Sequence, residues 1–224
     1  MDIKDFLKQF VEGYLFHDLE NLAKIELTVT QNSGALNYPM VLSILSGMEL
    51  LGFILSTDNK PFSGDSNSGN KYFENYWKNY FSVQEPKYKP LGNVFRQLIR
   101  HGIAHTFLTK HGVYISKGLN NKIQINASEK KIYFDSIVFF REFVDSYNNL
   151  VRPIIDETGQ DNKTSISKMQ FKLKSMVEEY ETQANKIFSD LNKIPDKFQD
   201  KISVEYNEIT ISGVTMRNLV TRKN

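Results

Sequence analysis

Apolar positions recur at three- and four-residue steps over residues 4–26, where Phe6, Phe10, Val11, Tyr14, Leu15, Leu19 and Leu22 share one face. That period predicts an amphipathic helix. "TVTQNSGALNYP" interrupts it, and "YPMVLSILSGMELLGFILS", residues 38–56, follows as the most apolar run in the chain. Its length borders on that of a membrane span. Glu49 near its middle would be costly in lipid, and serines and glycines weaken the span further. A buried core helix is the expectation. The polar, Gly- and Pro-bearing "STDNKPFSGDSNSGN" predicts a loop. The aromatic "KYFENYWKNYF" predicts a short helix ending before "SVQEPKYKP".

A further helix is predicted from about Leu91 to Leu108, after Pro90. The period then changes. "GVYIS", "KIQIN" and "KKIYFD", joined by "KGLNN" and "ASEK", alternate in the manner of strands. They predict a small antiparallel hairpin or meander, a β insertion at about residues 113–134. "SIVFFREFVDSYNNLVRPII" returns to helical spacing and closes near Pro153. The polar break "DETGQDNKTS" places a boundary at 156–164, before a polar helix at about 165–193. "KISVEYNEITISGVTMRN" reads as two short strands. The predicted fold is mainly α: a helical bundle over residues 1–155 carrying the β insertion, and a mixed helix and strand C-terminal extension over residues 165–224.

Composition narrows the chemistry. A chain of 224 residues can bury a core without staples. It has no cysteine, which excludes disulfides, thiolate zinc sites and thiol catalysis. Such usage suits a reducing compartment, and a cytoplasmic protein with no membrane association is expected. "MDIKDFLKQFVEGYLF" alternates charge with apolar residues at helical spacing and is not expected to act as a signal peptide. The net charge is +2, but residues 85–132 carry nine basic groups against Glu85 and Glu129, a local +7 that leaves −5 for the rest. A basic segment favours a polyanionic or phosphate-bearing partner; the other reading is a solvated lysine-rich surface.

The chemistry-bearing residues concentrate in "NVFRQLIRHGIAHTFLTKHG", residues 93–112, which holds two of the six arginines and three of the four histidines. On a helical wheel Leu91, Phe95, Leu98, Ile99, Gly102 and Ile103 share the arc facing the bundle. His101 and His105 stack one turn apart at its margin, where a group can be partly desolvated yet reachable. Arg96 and Arg100 lie outside the apolar arc. At about 100° per residue, Arg100 and His105 point about 140° apart. Their convergence needs a bent guanidinium or a symmetry-related helix, which argues for a homodimer.

The i,i+4 spacing of His101 and His105 also matches a paired zinc site, completed by Glu49 or His111. The zincin glutamate is absent, because Gly102 occupies its place. Glu49 reads better as a buried partner for an arginine or histidine, either structural or tuning. His17 reads as a surface residue. No phosphate-cradling loop, dinucleotide glycine pattern or nucleophile elbow is present. Tyr72, Phe73, Tyr76, Trp77, Tyr80 and Phe81 read as core or dimer interface before they read as base-stacking groups.

The string "RHGIAH", Arg100 to His105, resembles the signature of the HEPN domain superfamily: an arginine, a polar neighbour, and a histidine after four to six intervening residues. The apolar helix 38–56, the segment "YFENYWKNYF" and "LGNVFRQLIRHGIAHTF" are similar to uncharacterised bacterial members of that superfamily. The resemblance covers about residues 1–155. It implies a helical bundle whose two-fold dimer brings two motifs into one cleft and cuts RNA without a metal or other cofactor. Arg100 then corresponds to the motif arginine, His101 to the polar neighbour, often asparagine, and His105 to the motif histidine. Under that reading His105 acts as general acid or base, Arg100 clamps the phosphate, and His101 orients the substrate or shares proton transfer. Arg96, Lys110, Lys117, Lys122, Lys130 and Lys131 would hold the RNA backbone. Implied partners are RNA, a second copy of the chain, and an antitoxin or other protein in a defence or stress response. The alternative is a non-catalytic RNA- or protein-binding module on the same bundle.

Overall fold

The computed structural model describes residues 1–25, 36–106, 109–156, 160–191, 204–211 and 214–222. Most of the predicted interruption after the first helix, and the last two positions of the helix predicted over 91–108, lie outside them. The fold is mainly α with a small sheet. Six helices carry it: α1 (residues 3–24), α2 (Asn37–Ile54), α3 (Ser66–Asn79), α4 (residues 92–106), α5 (residues 136–156) and α6 (Gln160–Leu191). Strands β1 (Val113–Ser116), β2 (Gln124–Asn126) and β3 (Lys131–Asp135) lie between α4 and α5, and β4 (Val204–Ile211) pairs antiparallel with β5 (Val214–Arg222) after α6.

The apolar run forms α2, the central helix. By length and composition it could cross a membrane, yet Val41, Ile44, Leu45, Met48, Leu51 and Ile54 are fully covered by the rest of the protein. The aromatic stripe of α3 packs inward with it: Phe73, Tyr76 and Trp77 are buried, and the Trp77 ring lies 4.9 Å from Phe95 and 4.8 Å from Phe81. These rings are core, as the sequence reading preferred. α3 begins earlier than its aromatic run. Asp65, inside the segment expected to be loop, accepts from the backbone N–H groups of Asn67 and Ser68 at 2.9 Å each and caps the helix.

The sheet departs from expectation in one pairing. β2 and β3 are antiparallel, but β1 runs parallel to β3 on its other side, giving the order β1-β3-β2. The seven residues between β1 and β2 cross the end of β3 instead of turning back, and Asp135 N–H donates to the Asn121 carbonyl at 2.9 Å. Asp135 holds this crossing together. It is fully buried, accepts from Leu119 N–H at 2.8 Å and Ser116 Oγ at 3.2 Å, and caps α5 by accepting from Ile137 N–H at 2.9 Å. Removing it strips a helix cap and leaves buried donors unmatched. Asp135→Ala is therefore expected to lose about 2–4 kcal/mol, read from urea unfolding followed by the buried Trp77. Asp135→Asn, which keeps one acceptor, should fall between the two.

α6 begins at Gln160 and its first half joins the same core, burying Met169, Leu173, Met176 and Val177 against the bundle. Lys172 is buried with them. Its ammonium pairs with Asp58, donates to the Lys60 carbonyl at 2.7 Å and lies 5.0 Å from the Phe53 ring centre, tying the loop after α2 to α6.

Candidate active site

The Phe95–Arg100 stretch of α4 winds in widened turns, and His101 N–H donates to the Arg96 carbonyl five residues back. Such turns are often found at functional sites. Here they recur at Leu7–Phe16 and Tyr147–Val151, so the widening does not single out α4. Phe95, Ile99 and Ile103 anchor the helix in the core, and Gly102 is buried with them.

His101 and His105 are both exposed, and their rings lie 4.4 Å apart, tilted by 55°. Partial desolvation, then the positive charges of His105, Lys110, Arg96 and Arg100, hold His101 below the ordinary imidazole range. Lys110 is brought there by the backbone: its N–H donates to the Leu98 carbonyl at 2.9 Å, folding the chain back along α4.

Arg100 takes another direction. Its Nη2 lies 2.5 Å from Glu49 Oε2, across the α2–α4 contact. Both groups line a cavity of about 180 Å³ shared with Ser46, Leu50, Phe53 and Tyr180. Burial raises the Glu49 carboxyl above its usual range, although Arg100 and Arg96 oppose it. No hydrogen bond or ion pair joins Arg100 to either histidine among the described residues. The Glu49 partnership anticipated from sequence is thus present.

The basic residues assigned to RNA are dispersed. Arg96 is only 8% exposed, so its place outside the apolar arc does not leave it solvated; burial, then Arg100, hold its guanidinium below the usual range, while Glu49 and Glu74 oppose the shift. Lys117 donates to the carbonyls of Leu22 and Ile25 at 2.8 and 2.9 Å and closes the C-terminal end of α1, a structural role in place of a phosphate contact. Lys122 reaches Glu142 at 3.6 Å and Glu85 at 3.7 Å, and Lys131 reaches Glu129 at 2.7 Å. Lys110 and Lys130 are exposed, Lys130 at a left-handed turn position with φ 54°. Glu85 and Glu129 already enter the local +7; Glu142 beside Lys122 and Glu49 beside Arg100 come from outside residues 85–132 and offset part of it, which counting along the chain could not register.

Among the described residues no three His, Asp or Glu side chains gather in a way that could hold a metal ion. His111 is exposed, and His17 sits at the surface 4.0 Å from Glu20. Sequence reasoning passed over Tyr114 and Tyr133, whose rings stack 4.9 Å apart at 14° on paired strands. The available signal was their shared outward position in "GVYIS" and "KKIYFD". Comparison with protein-family models, curated proteins and solved structures finds no match to this chain.

Proposed function

We propose that this protein is a metal-independent endoribonuclease whose site is completed at a two-fold homodimer interface. The observation that carries the reading is the exposed His101–His105 pair, set in the positive field of Lys110, Arg96 and Arg100, with His101 held toward its neutral form. RNA supplies its own nucleophile. A neutral imidazole takes the 2′-hydroxyl proton, the 2′-oxygen attacks phosphorus, the P–O5′ bond breaks, and a protonated imidazole returns a proton to the leaving 5′-oxygen. The products are a 2′,3′-cyclic phosphate and a 5′-hydroxyl. Cationic groups stabilise the charge that builds on the phosphorane.

Attacking and leaving oxygens stand on opposite sides of phosphorus in an in-line displacement. Two rings in contact on one helix face sit on the same side. A second copy supplies the opposite pair, with one protomer's His101 at the 2′-hydroxyl and the other's His105 at the leaving oxygen.

The test is cleavage of mixed single-stranded and structured RNA by purified protein in excess chelator. Chelator-resistant cleavage giving cyclic-phosphate ends is the expected result. Absence of cleavage on every RNA would instead favour a non-catalytic binding module. One observation supports that second reading: Arg100 is held by Glu49 instead of pointing toward the histidines.

A further inference from the structure

The three-stranded sheet has one covered and one open face. Ile132 and Phe134 of β3 point into the core. On the opposite face Tyr114 of β1, Tyr133 of β3 and Gln124 of β2 stand side by side in register. Tyr114 and Tyr133 stack against each other at 4.9 Å, and Tyr114 is 46% exposed. Because β1 is the edge of the sheet, no strand among the described residues pairs beyond Tyr114. The two rings, one half-exposed and one partly covered, together offer a flat aromatic surface on the open face of adjacent strands.

The surroundings are cationic. Lys131 hydrogen-bonds Glu129 on the strand face that carries Tyr133, and Lys130 precedes it at the turn. β1 and β3 are parallel, so both begin at the same end of the sheet, and that end adjoins α4. Ile132 N–H donates to the Gly112 carbonyl at 2.8 Å. Gly112, at φ 88°, lies so close to Lys130 that a Cβ there would meet the Lys130 carbonyl oxygen at 2.3 Å. His111 and Lys110 precede Gly112, and Lys110 acts on His101. Lys110, His111, Lys130 and Lys131, against Glu129 alone, thus lead from the histidines of α4 to the two tyrosines.

We infer that the open sheet face is a stacking platform for single-stranded RNA, with a base on the free face of Tyr114 and the backbone tracked by Lys130, Lys131 and Lys110. Every base has a π-face, so such a platform binds without strong sequence preference, and the lysines add salt-dependent affinity. The inference rests on the ribonuclease reading for its choice of RNA. It gives that site what the exposed histidines alone lack, an extended surface that holds substrate next to them.

The test uses fluorescence anisotropy with a labelled, mixed-sequence single-stranded oligoribonucleotide carrying 2′-O-methyl groups, which cannot be cleaved. The wild-type chain is expected to bind, Tyr114→Ala to bind about 10- to 100-fold more weakly, and Tyr114→Phe to bind like wild type. Tyr114→Ala also loses the stack on Tyr133, so a small drop in melting temperature is expected, and binding is measured well below it after folding is checked. Unchanged affinity in Tyr114→Ala, equal loss in Tyr114→Phe, or no binding by the wild type would each overturn the platform. A protein partner covering this face would give the first of these. Because the probe lacks a 2′-nucleophile, the result is independent of catalysis. The platform can stand if cleavage fails, and cleavage can stand if the platform fails.

Discussion

RNA incubated with the His105→Ala protein in excess chelator is expected to survive largely intact under conditions where the wild type cleaves it. Loss of a general acid or base costs typically 10²- to 10⁴-fold in rate, so a drop of about a thousandfold is the expected scale. The ring is exposed and packs against His101, so folding should be little affected, and equal melting temperatures separate lost chemistry from lost structure. Wild-type activity in His105→Ala would remove His105 from the mechanism.

The pH profile carries a second, linked expectation. His101 is held below the ordinary imidazole value of about 6.5 by partial desolvation and by its positive neighbours. A histidine with a lowered value stays neutral, and able to accept a proton, further into the acid range. Activity should therefore fall only as the pH drops through that lowered value. An acid limb at or above about 6.5 would count against His101 as the base.

Gly52→Ala should be strongly destabilising, despite adding only a methyl group. Alanine is ordinarily better than glycine in a helix by about 1 kcal/mol, so propensity alone predicts a more stable protein. Packing reverses the sign. A Cβ on Gly52 would lie 1.8 Å from the Tyr72 carbonyl oxygen and 3.1 Å from the Tyr76 nitrogen. These are backbone atoms of α3 and cannot rotate away. The contact also carries a hydrogen bond from Asn75 Nδ2 to the Gly52 carbonyl at 2.7 Å. Overpacking costs typically 1–3 kcal/mol, and a rigid obstacle puts this case at or above about 3 kcal/mol. Urea unfolding followed by Trp77 fluorescence measures it; an unchanged or raised midpoint would mean that α2 and α3 are not so closely apposed. Glu49 lies one turn before Gly52, so separating these helices would also disturb the Glu49–Arg100 pair.

Periodicity made most of the helices legible, and residue type explains the exceptions. α3 starts before its aromatic run because Asp65 caps it, a local signal masked by the surrounding polar residues. The parallel placement of β1 had no local signal at all. It depends on a connection crossing the end of β3 and on a buried Asp135 that gathers donors from three segments.

By itself the sequence determined the mainly helical class, the central apolar helix, the inward-facing aromatic stripe and the adjacency of His101 and His105. All of these follow from spacing along one helix, where a neighbour's position is set by the backbone repeat. Only the tertiary structure decided where the long cationic side chains go. Arg96 is buried, Arg100 meets Glu49, Lys117 closes α1, and Lys122 finds Glu142. Tyr114 and Tyr133 likewise became a stacked pair only through strand register. Flexible stems reach partners from distant segments, and strand pairing joins residues far apart in the chain, so neither is encoded in local spacing.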